Sequence, residues 1–219
     1  MEVDVKITRK KIKNLILKVN HEGKILLSVP WGTSDEMIEG FLKREKNWII
    51  ERFKELEENK KKISKFENGE MIEYLGKKYT LKMVDSKKNS VAVIDEEIYI
   101  YSPSTLSTSE KKKIFEEWGT KQLASLLKDI VKLTAEKVGY SPNTITIKNM
   151  KTRWGSCNSI KKSVVFNCQL MYKPISVIEY IVLHELAHIP HPHHQKEFWA
   201  FVEKYMPDWK ERRKLLKSR

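Results

Sequence analysis

Alternation of apolar and polar residues recurs along the first half of the chain, and this period of two is typical of half-buried β-strands. The predicted strands lie at residues 3–8, 12–19, 24–29, 71–84 and 90–101. Hairpin turns are predicted at Asn20–Gly23 and at Gly76, because asparagine and glycine favour tight turns. We therefore expect small β-sheets in this half.

Three helices are predicted where a serine or threonine is followed three residues later by a glutamate, the capping-box pattern. The pairs are Thr33 with Glu36, Ser107 with Glu110, and Ser176 with Glu179. The first opens a long amphipathic helix, and the second helix should end at Gly139. The third follows Pro174 and is apolar nearly all round, which predicts a buried helix.

Between the second and third helices we predict a strand near 144–149 and a hairpin that joins 151–157 to 163–170. The whole order predicts an α+β fold. Its β-rich N-terminal region with a long helix should cover residues 1–105, and the remainder should form a second domain at 106–219.

Composition is that of a soluble globular protein, with 40% hydrophobic and 32% charged residues among 219. No apolar run reaches the roughly 20 residues that span a bilayer. The N-terminus does not resemble a signal peptide, and two cysteines make no disulfide framework. These features predict a cytoplasmic protein without membrane contact.

The net charge of +13 has two interpretations. It is compatible with nucleic acid or another polyanion as a partner. It is equally compatible with a solvated lysine-rich surface, and no nucleic-acid-binding motif decides between them. No feature of the sequence sets the oligomeric state.

Five of the six histidines fall between His184 and His194, where the chain reads H-E-L-A-H and then P-H-P-H-H. His184 and His188 are four residues apart, so on a helix they share one face and can bind one metal ion. Glu185 stands beside the first histidine, where a carboxylate can take a proton from metal-bound water.

A third ligand should come from chain that turns back, because Pro190 and Pro192 end the helix soon after His188. On a straight helix His191 would lie roughly 10 Å along the axis from His184. His194 is therefore the preferred third ligand, with His193 and His191 as alternatives.

The segment 184–199 resembles the active-site stretch of the YgjP-like zinc metallopeptidases, which are relatives of the SprT-like group. Phe198 and Trp199 match the aromatic pair that follows the family's third histidine, which stands at His194 here. The resemblance extends to K-T-R-W-G-S-C at 151–157, to 206–213, and to 23–30 with Trp48-Ile49. One departure is His193, where the family usually has a small or amide residue.

This resemblance implies a minimal zincin-like catalytic domain: a backing helix, a small antiparallel sheet, the H-E-x-x-H helix and closing helices. It implies a peptide or protein substrate and hydrolysis by a water that Zn²⁺ activates. His184, His188 and His194 would hold the ion, and Glu185 would be the general base.

Residues near the 151–157 hairpin have alternative roles. Arg153 is a candidate contact to the substrate or the transition state, and a structural salt bridge is its alternative. The strand itself would either border the cleft and pair with an extended peptide, or pack tightly with Trp154 in the core. We assign Cys157 no catalytic role.

Two other functions share the same residues. A zinc hydrolase that acts on nucleoside triphosphates could use the same water and base. A basic, nucleic-acid-associated module could hold a structural zinc, for which His191 or His193 would supply a fourth ligand.

Overall fold

The computed structural model describes residues 5–20, 22–61 and 65–216, apart from the side chains of residues 58–61. Within these residues the fold contains six α-helices and three small sheets, which confirms the α+β class. It divides into two compact units, residues 1–63 and 64–219. The start of the first predicted strand and His21 in the first predicted turn lie outside the described residues.

The first unit contains a three-stranded sheet. Its strands are β1 (Val5–Lys10), β2 (Ile16–Val19) and β3 (Ile25–Pro30). The central strand β3 pairs with β2 antiparallel and with β1 parallel. Ile25, Leu27 and Val29 alternate along β3 and are buried. The predicted hairpin turn is confirmed, because the Asn20 side chain accepts the backbone N–H of Lys24 at 2.8 Å.

Two helices follow in place of the one long helix that was predicted. They are α1 (Asp35–Arg44) and α2 (Lys46–Lys61). Glu45 separates them because its ψ of 5° departs from helical geometry. The predicted cap is also one residue early: Ser34 accepts the backbone N–H of Met37 at 3.3 Å, while Thr33 donates its hydroxyl to the Pro30 carbonyl.

The second unit begins with a four-stranded sheet in the order β4-β5-β7-β6. Its strands are β4 (Met71–Tyr74), β5 (Lys77–Asp85), β6 (Ser90–Ile94) and β7 (Glu97–Ser102). Leu81 and Ile100 of this sheet lie in the same core as Phe115 of the next helix. The division between the compact units falls after residue 63, and the separate domains at 1–105 and 106–219 stay a prediction.

The long helix α3 (Thr108–Val138) has both of its predicted ends. Ser107 accepts the backbone N–H of Glu110, whose carboxylate accepts the backbone N–H of Ser107 at 2.8 Å. At the other end Gly139 adopts a left-handed φ of 79° and donates its N–H to the Ala135 carbonyl. Both caps are confirmed.

A three-stranded sheet follows, in the order β8-β10-β9. Its strands are β8 (Thr144–Lys148), β9 (Gly155–Asn158) and β10 (Ser163–Asn167). The sheet is mixed, not wholly antiparallel as expected, because β8 and β10 run parallel. The prediction that the last strand reaches residue 170 is wrong. Asn167 accepts the N–H of Gln169 and so starts a 3-10 helix over Cys168–Tyr172.

Three helices complete the unit: α4 (Ile175–Ala187), α5 (Lys196–Tyr205) and α6 (Trp209–Leu215). The predicted capping box of Ser176 with Glu179 is wrong. Helix α4 begins after Pro174, whose carbonyl accepts the N–H of Val177, and Glu179 pairs with Arg212 of α6. No helix in the described part of the chain combines the length and apolarity that crossing a membrane requires.

Candidate metal centre

Helix α4 carries the first part of the site through the core. Leu183, Leu186 and Ala187 are almost completely buried, so the helix is fixed on all sides. His184 lies one turn before the helix C-terminus and His188 is the C-cap residue. Their ring centroids are 5.0 Å apart, as the spacing of four residues predicts.

The chain then reverses and brings a third histidine back to this pair. Helix α4 ends at Ala187, and α5 begins at Lys196. In the turn, the ring of His194 lies 4.9 Å from that of His184 and 4.6 Å from that of His188. The Nε2 atoms of His194 and His184 are 3.0 Å apart.

Three histidines thus offer one nitrogen each, all within 4.8 Å of one another. Such a set suits one ion with an open coordination position. His191 packs its ring 5.4 Å from that of Phe201, and His193 is exposed. Within the described residues neither joins the cluster, so no fourth protein ligand closes the site.

The protonation of the histidines also suits a cation. Burial, together with the neighbouring His188 and His194, lowers the pKa of His184 to about 3. Burial likewise lowers the pKa of His188. Both rings are therefore neutral at pH 7 and keep a lone pair for a metal. His188 Nδ1 lies 3.3 Å from the His191 carbonyl, and an N–H donated there leaves Nε2 as the ligand atom.

Aromatic side chains hold the ring of His184 in place. The Tyr180, Phe198 and Trp199 rings lie 5.0–6.0 Å from it. Its buried Nδ1 has no hydrogen-bond partner in the described part of the chain. Packing therefore sets the orientation of the His184 ring, since within the described residues no carboxylate or carbonyl accepts a hydrogen bond from its Nδ1.

Glu185 is the most deeply buried acidic residue of the site, with 4% of its surface exposed. Burial raises the pKa of its carboxyl to about 8, and the charge of Arg153 opposes that rise. The carboxylate packs against Gly155 at the start of β9. A carboxyl whose pKa lies near neutral pH, beside three imidazoles, can both accept and donate a proton there.

A cleft of about 570 Å³ opens in front of these residues. Its walls include Arg153, which is exposed and has no carboxylate within 4.0 Å in the described ranges. The salt-bridge alternative for Arg153 therefore finds no support here. Cys157 also lines the cleft, and burial raises the pKa of its thiol to about 11. That thiol stays protonated at neutral pH.

For two residues of the site, the sequence predicted no role in the site itself. Tyr180 is 2% exposed, lines the cleft and precedes His184 by one helical turn. The spacing Tyr180–His184–His188 is the signal that would have found it. Gly155 supports Glu185 by lacking a side chain, and nothing in the local sequence indicates such a long-range contact.

Comparison with known proteins gives the following matches. A family model described as YgjP-like, metallopeptidase domain, matches residues 13–219. Among solved structures, the metallopeptidase zymogen of Pyrococcus abyssi abylysin is 22% identical, covers 42% of this chain and 92% of its own, and has a TM-score of 0.40. The metallopeptidase zymogen of Methanocaldococcus jannaschii jannalysin is 27% identical, covers 42% and 88%, and has a TM-score of 0.37. A search of curated proteins found no significant match.

Proposed function

The chain belongs to the YgjP-like metallopeptidase family, and we propose that it hydrolyses peptide bonds with a zinc ion held by His184, His188 and His194. Glu185 is the proposed general base. Metal-dependent peptidase activity follows from the family, and the proposal adds the metal, its ligands and the base. The observation that carries it is the convergence of three imidazoles within 4.8 Å beside a buried carboxyl group.

Zinc is the metal that this donor set favours, because three imidazoles with one open position are typical of catalytic zinc sites. A zinc ion bound there would supply Lewis acidity, which lowers the pKa of water towards about 7 and polarises a carbonyl group. The protein's own contribution is to keep His184 and His188 neutral and to hold the ring of His184 in place. Burial does the first, and the aromatic contacts of His184 do the second.

Glu185 would move the proton. Its carboxylate accepts a proton from the attacking water and delivers it to the amine that leaves when the peptide C–N bond breaks. The raised pKa makes it a stronger base than an exposed glutamate. Gly155 leaves the carboxylate room beside β9, so the base is held where the cleft opens.

An extended substrate has a natural docking edge in β9. This strand pairs with β10 on one side, and in the described part of the chain no strand pairs with its other side. Residues 155–157 of β9 also line the cleft. An added peptide strand could hydrogen-bond this edge and lie across the histidines, which supports a peptide or protein as substrate.

The experiment compares wild type with Glu185→Gln on a mixture of peptides and on nucleoside triphosphates. Zinc content is measured on both proteins. We expect wild type to cleave peptides in a way that chelation abolishes and added zinc restores. The Glu185→Gln variant should bind zinc equally and cleave at least 100-fold more slowly. Equal rates, or hydrolysis of nucleotides with no peptide cleavage, would disprove the proposal.

A further inference from the structure

A second depression, also of about 570 Å³, adjoins the metal cleft. The two share Arg153, Trp154 and Leu216 in their walls. Arg153 and Trp154 directly precede the β9 edge. A side chain of a peptide that lies along this edge can therefore enter the second depression while the main chain stays in the cleft.

Positive charge dominates this second depression, which we call the basic pocket. Its cationic lining residues are Lys151, Arg153 and Lys173, and within the described residues its one carboxylate is that of Glu73. In the same residues neither Lys151 nor Arg153 has an ion-pair partner within 4.0 Å. The positive charges of Lys151 and Arg153 are thus available to a ligand.

A buried amide holds the loop that carries two of these cations. Asn167 is 4% exposed, and its Nδ2 donates to the carbonyls of Met150 and Arg153, both at 2.7 Å. Its Oδ1 accepts the backbone N–H of Met150 and that of Gln169. The backbone on either side of Lys151 is therefore fixed, which lowers the entropy lost when a ligand binds.

Lys173 reaches the basic pocket from a different segment of the chain and contacts Trp154. Its Nζ lies 5.4 Å from the centroid of the Trp154 ring, within reach of a cation–π interaction. This contact keeps the ammonium group at the boundary between cleft and basic pocket. Cations from two separate segments thus converge on one space.

We propose that the basic pocket binds an acidic side chain, aspartate or glutamate, of the peptide substrate close to the scissile bond. This inference rests on the proposed function, because it names a substrate class for the same cleft. A carboxylate in the pocket would meet charge of opposite sign on both walls. Its binding would also place the neighbouring peptide bond over the three histidines.

The pocket suits an acidic peptide better than nucleic acid. Single strands bind through open aromatic faces on which bases stack. Here one face of Trp154 is covered by Lys173. The pocket also adjoins the cleft in which the main chain of a peptide would lie, since the two share Arg153 and Trp154 in their walls.

The test uses three peptides that differ at one position, with glutamate, glutamine or lysine, and scans that position on both sides of the scissile bond. We expect about five- to tenfold higher kcat/KM for glutamate than for glutamine at one position, and a smaller ratio at high salt. In zinc-loaded Glu185→Gln, fluorescence anisotropy should give tighter binding of the glutamate peptide.

Two variants test whether residues of the basic pocket cause the preference for the glutamate peptide. Lys151→Glu should abolish the preference for the glutamate peptide and favour the lysine peptide. Lys173→Met should reduce the preference, because it removes the ammonium charge and leaves an apolar side chain to pack against Trp154. Lys148→Glu is the matched control, since Lys148 is exposed on β8 outside both depressions and its change in charge is identical.

Each outcome is decisive. Failure to cleave any peptide defeats the proposed function. Cleavage of the glutamate and glutamine peptides at equal rates at every position overturns only the acidic preference. The same follows if Lys148→Glu loses the preference for glutamate as strongly as Lys151→Glu does. An oligonucleotide that binds more tightly than the glutamate peptide, and loses that binding in Lys151→Glu, would assign the pocket to nucleic acid and also overturn the inference.

Discussion

Gly155 and Glu185 touch across the junction of β9 and α4 so closely that no side chain fits between them. A Cβ atom on Gly155 would lie 2.6 Å from Oε1 of Glu185, 2.8 Å from its Cγ and 2.9 Å from its Cδ. Glycine at this position is therefore what allows the carboxylate to stand beside the histidines.

Gly155→Ala should displace the Glu185 carboxylate, because the added methyl group occupies its place. Misplacement of a catalytic group by about 1 Å can reduce the rate about 100-fold. We expect a loss of that order in kcat/KM for peptide cleavage, with the zinc content of wild type. Steady-state kinetics and metal analysis on the same preparation measure both.

Gly119→Ala serves as the control, because it introduces an even closer contact outside the residues that line the metal cleft. Its Cβ would lie 2.1 Å from Cε of Met171, a flexible side chain in the core. We expect a loss of about 1–3 kcal/mol in the free energy of unfolding with kcat/KM unchanged. If Gly155→Ala merely lost stability in the same way, Gly155 would have no role in positioning Glu185.

His194→Ala should weaken zinc binding sharply, since it removes one of the three proposed ligands. The loss should exceed the roughly 10- to 100-fold that follows removal of a supporting contact. Competition with a chromogenic chelator measures the affinity. His193→Ala, at an exposed residue outside the cluster, should bind zinc as wild type does. The reverse result would move the third ligand to His193.

Gly139→Ala should destabilise the second unit through its backbone alone. Gly139 has a φ of 79°, and apart from its own chain neighbours no atom of the described residues lies within 4 Å of an added Cβ. A left-handed conformation costs a residue other than glycine about 1–2 kcal/mol. Gly139→Asn should lose less, because asparagine tolerates this conformation better. Denaturant unfolding of wild type and the two variants measures their free energies of unfolding. An equal loss in both variants would show that the left-handed backbone at residue 139 is not the cause.

Asp208→Asn should alter how stability depends on pH. A side-chain hydrogen bond from Arg212 holds the pKa of Asp208 below its ordinary value of 3.8. The unfolded chain therefore binds a proton first, so the stabilisation is present above pH 3.8 and is lost as the pH falls through the folded-state pKa. Wild type should exceed Asp208→Asn in stability near neutral pH and match it in strong acid.

Urea unfolding at several pH values tests this, and because acid removes zinc from both proteins, their difference isolates Asp208. Glu211→Gln is the control. It makes the same change of charge on helix α6, and Glu211 has no ion-pair partner within the described residues. The interpretation would be refuted if the difference in unfolding free energy between wild type and Asp208→Asn grew in acid. It would also be refuted if Glu211→Gln changed the unfolding free energy as much as Asp208→Asn does.

Local patterns predicted some helix ends well and others wrongly. Ser107 and Glu110 form their capping box, and within the described residues no basic side chain forms an ion pair with Glu110. Glu179 has the same spacing from Ser176, but Arg212, 33 residues further along, pairs with it instead. A capping pattern is thus a weak preference that one distant ion pair can outweigh.

Within the chain itself, the residue order was sufficient to indicate the histidine pair of α4, the neighbouring glutamate and the reversal that Pro190 and Pro192 impose. These features depend on helical period and on the missing N–H of proline, both of which are local. Folding decided the rest. It brought His194 close to His184 and His188 and packed Gly155 against Glu185. It also placed the four-stranded sheet in the same core as helix α3 of the second unit. Such contacts join residues far apart in sequence, and only the packing of the core brings them together.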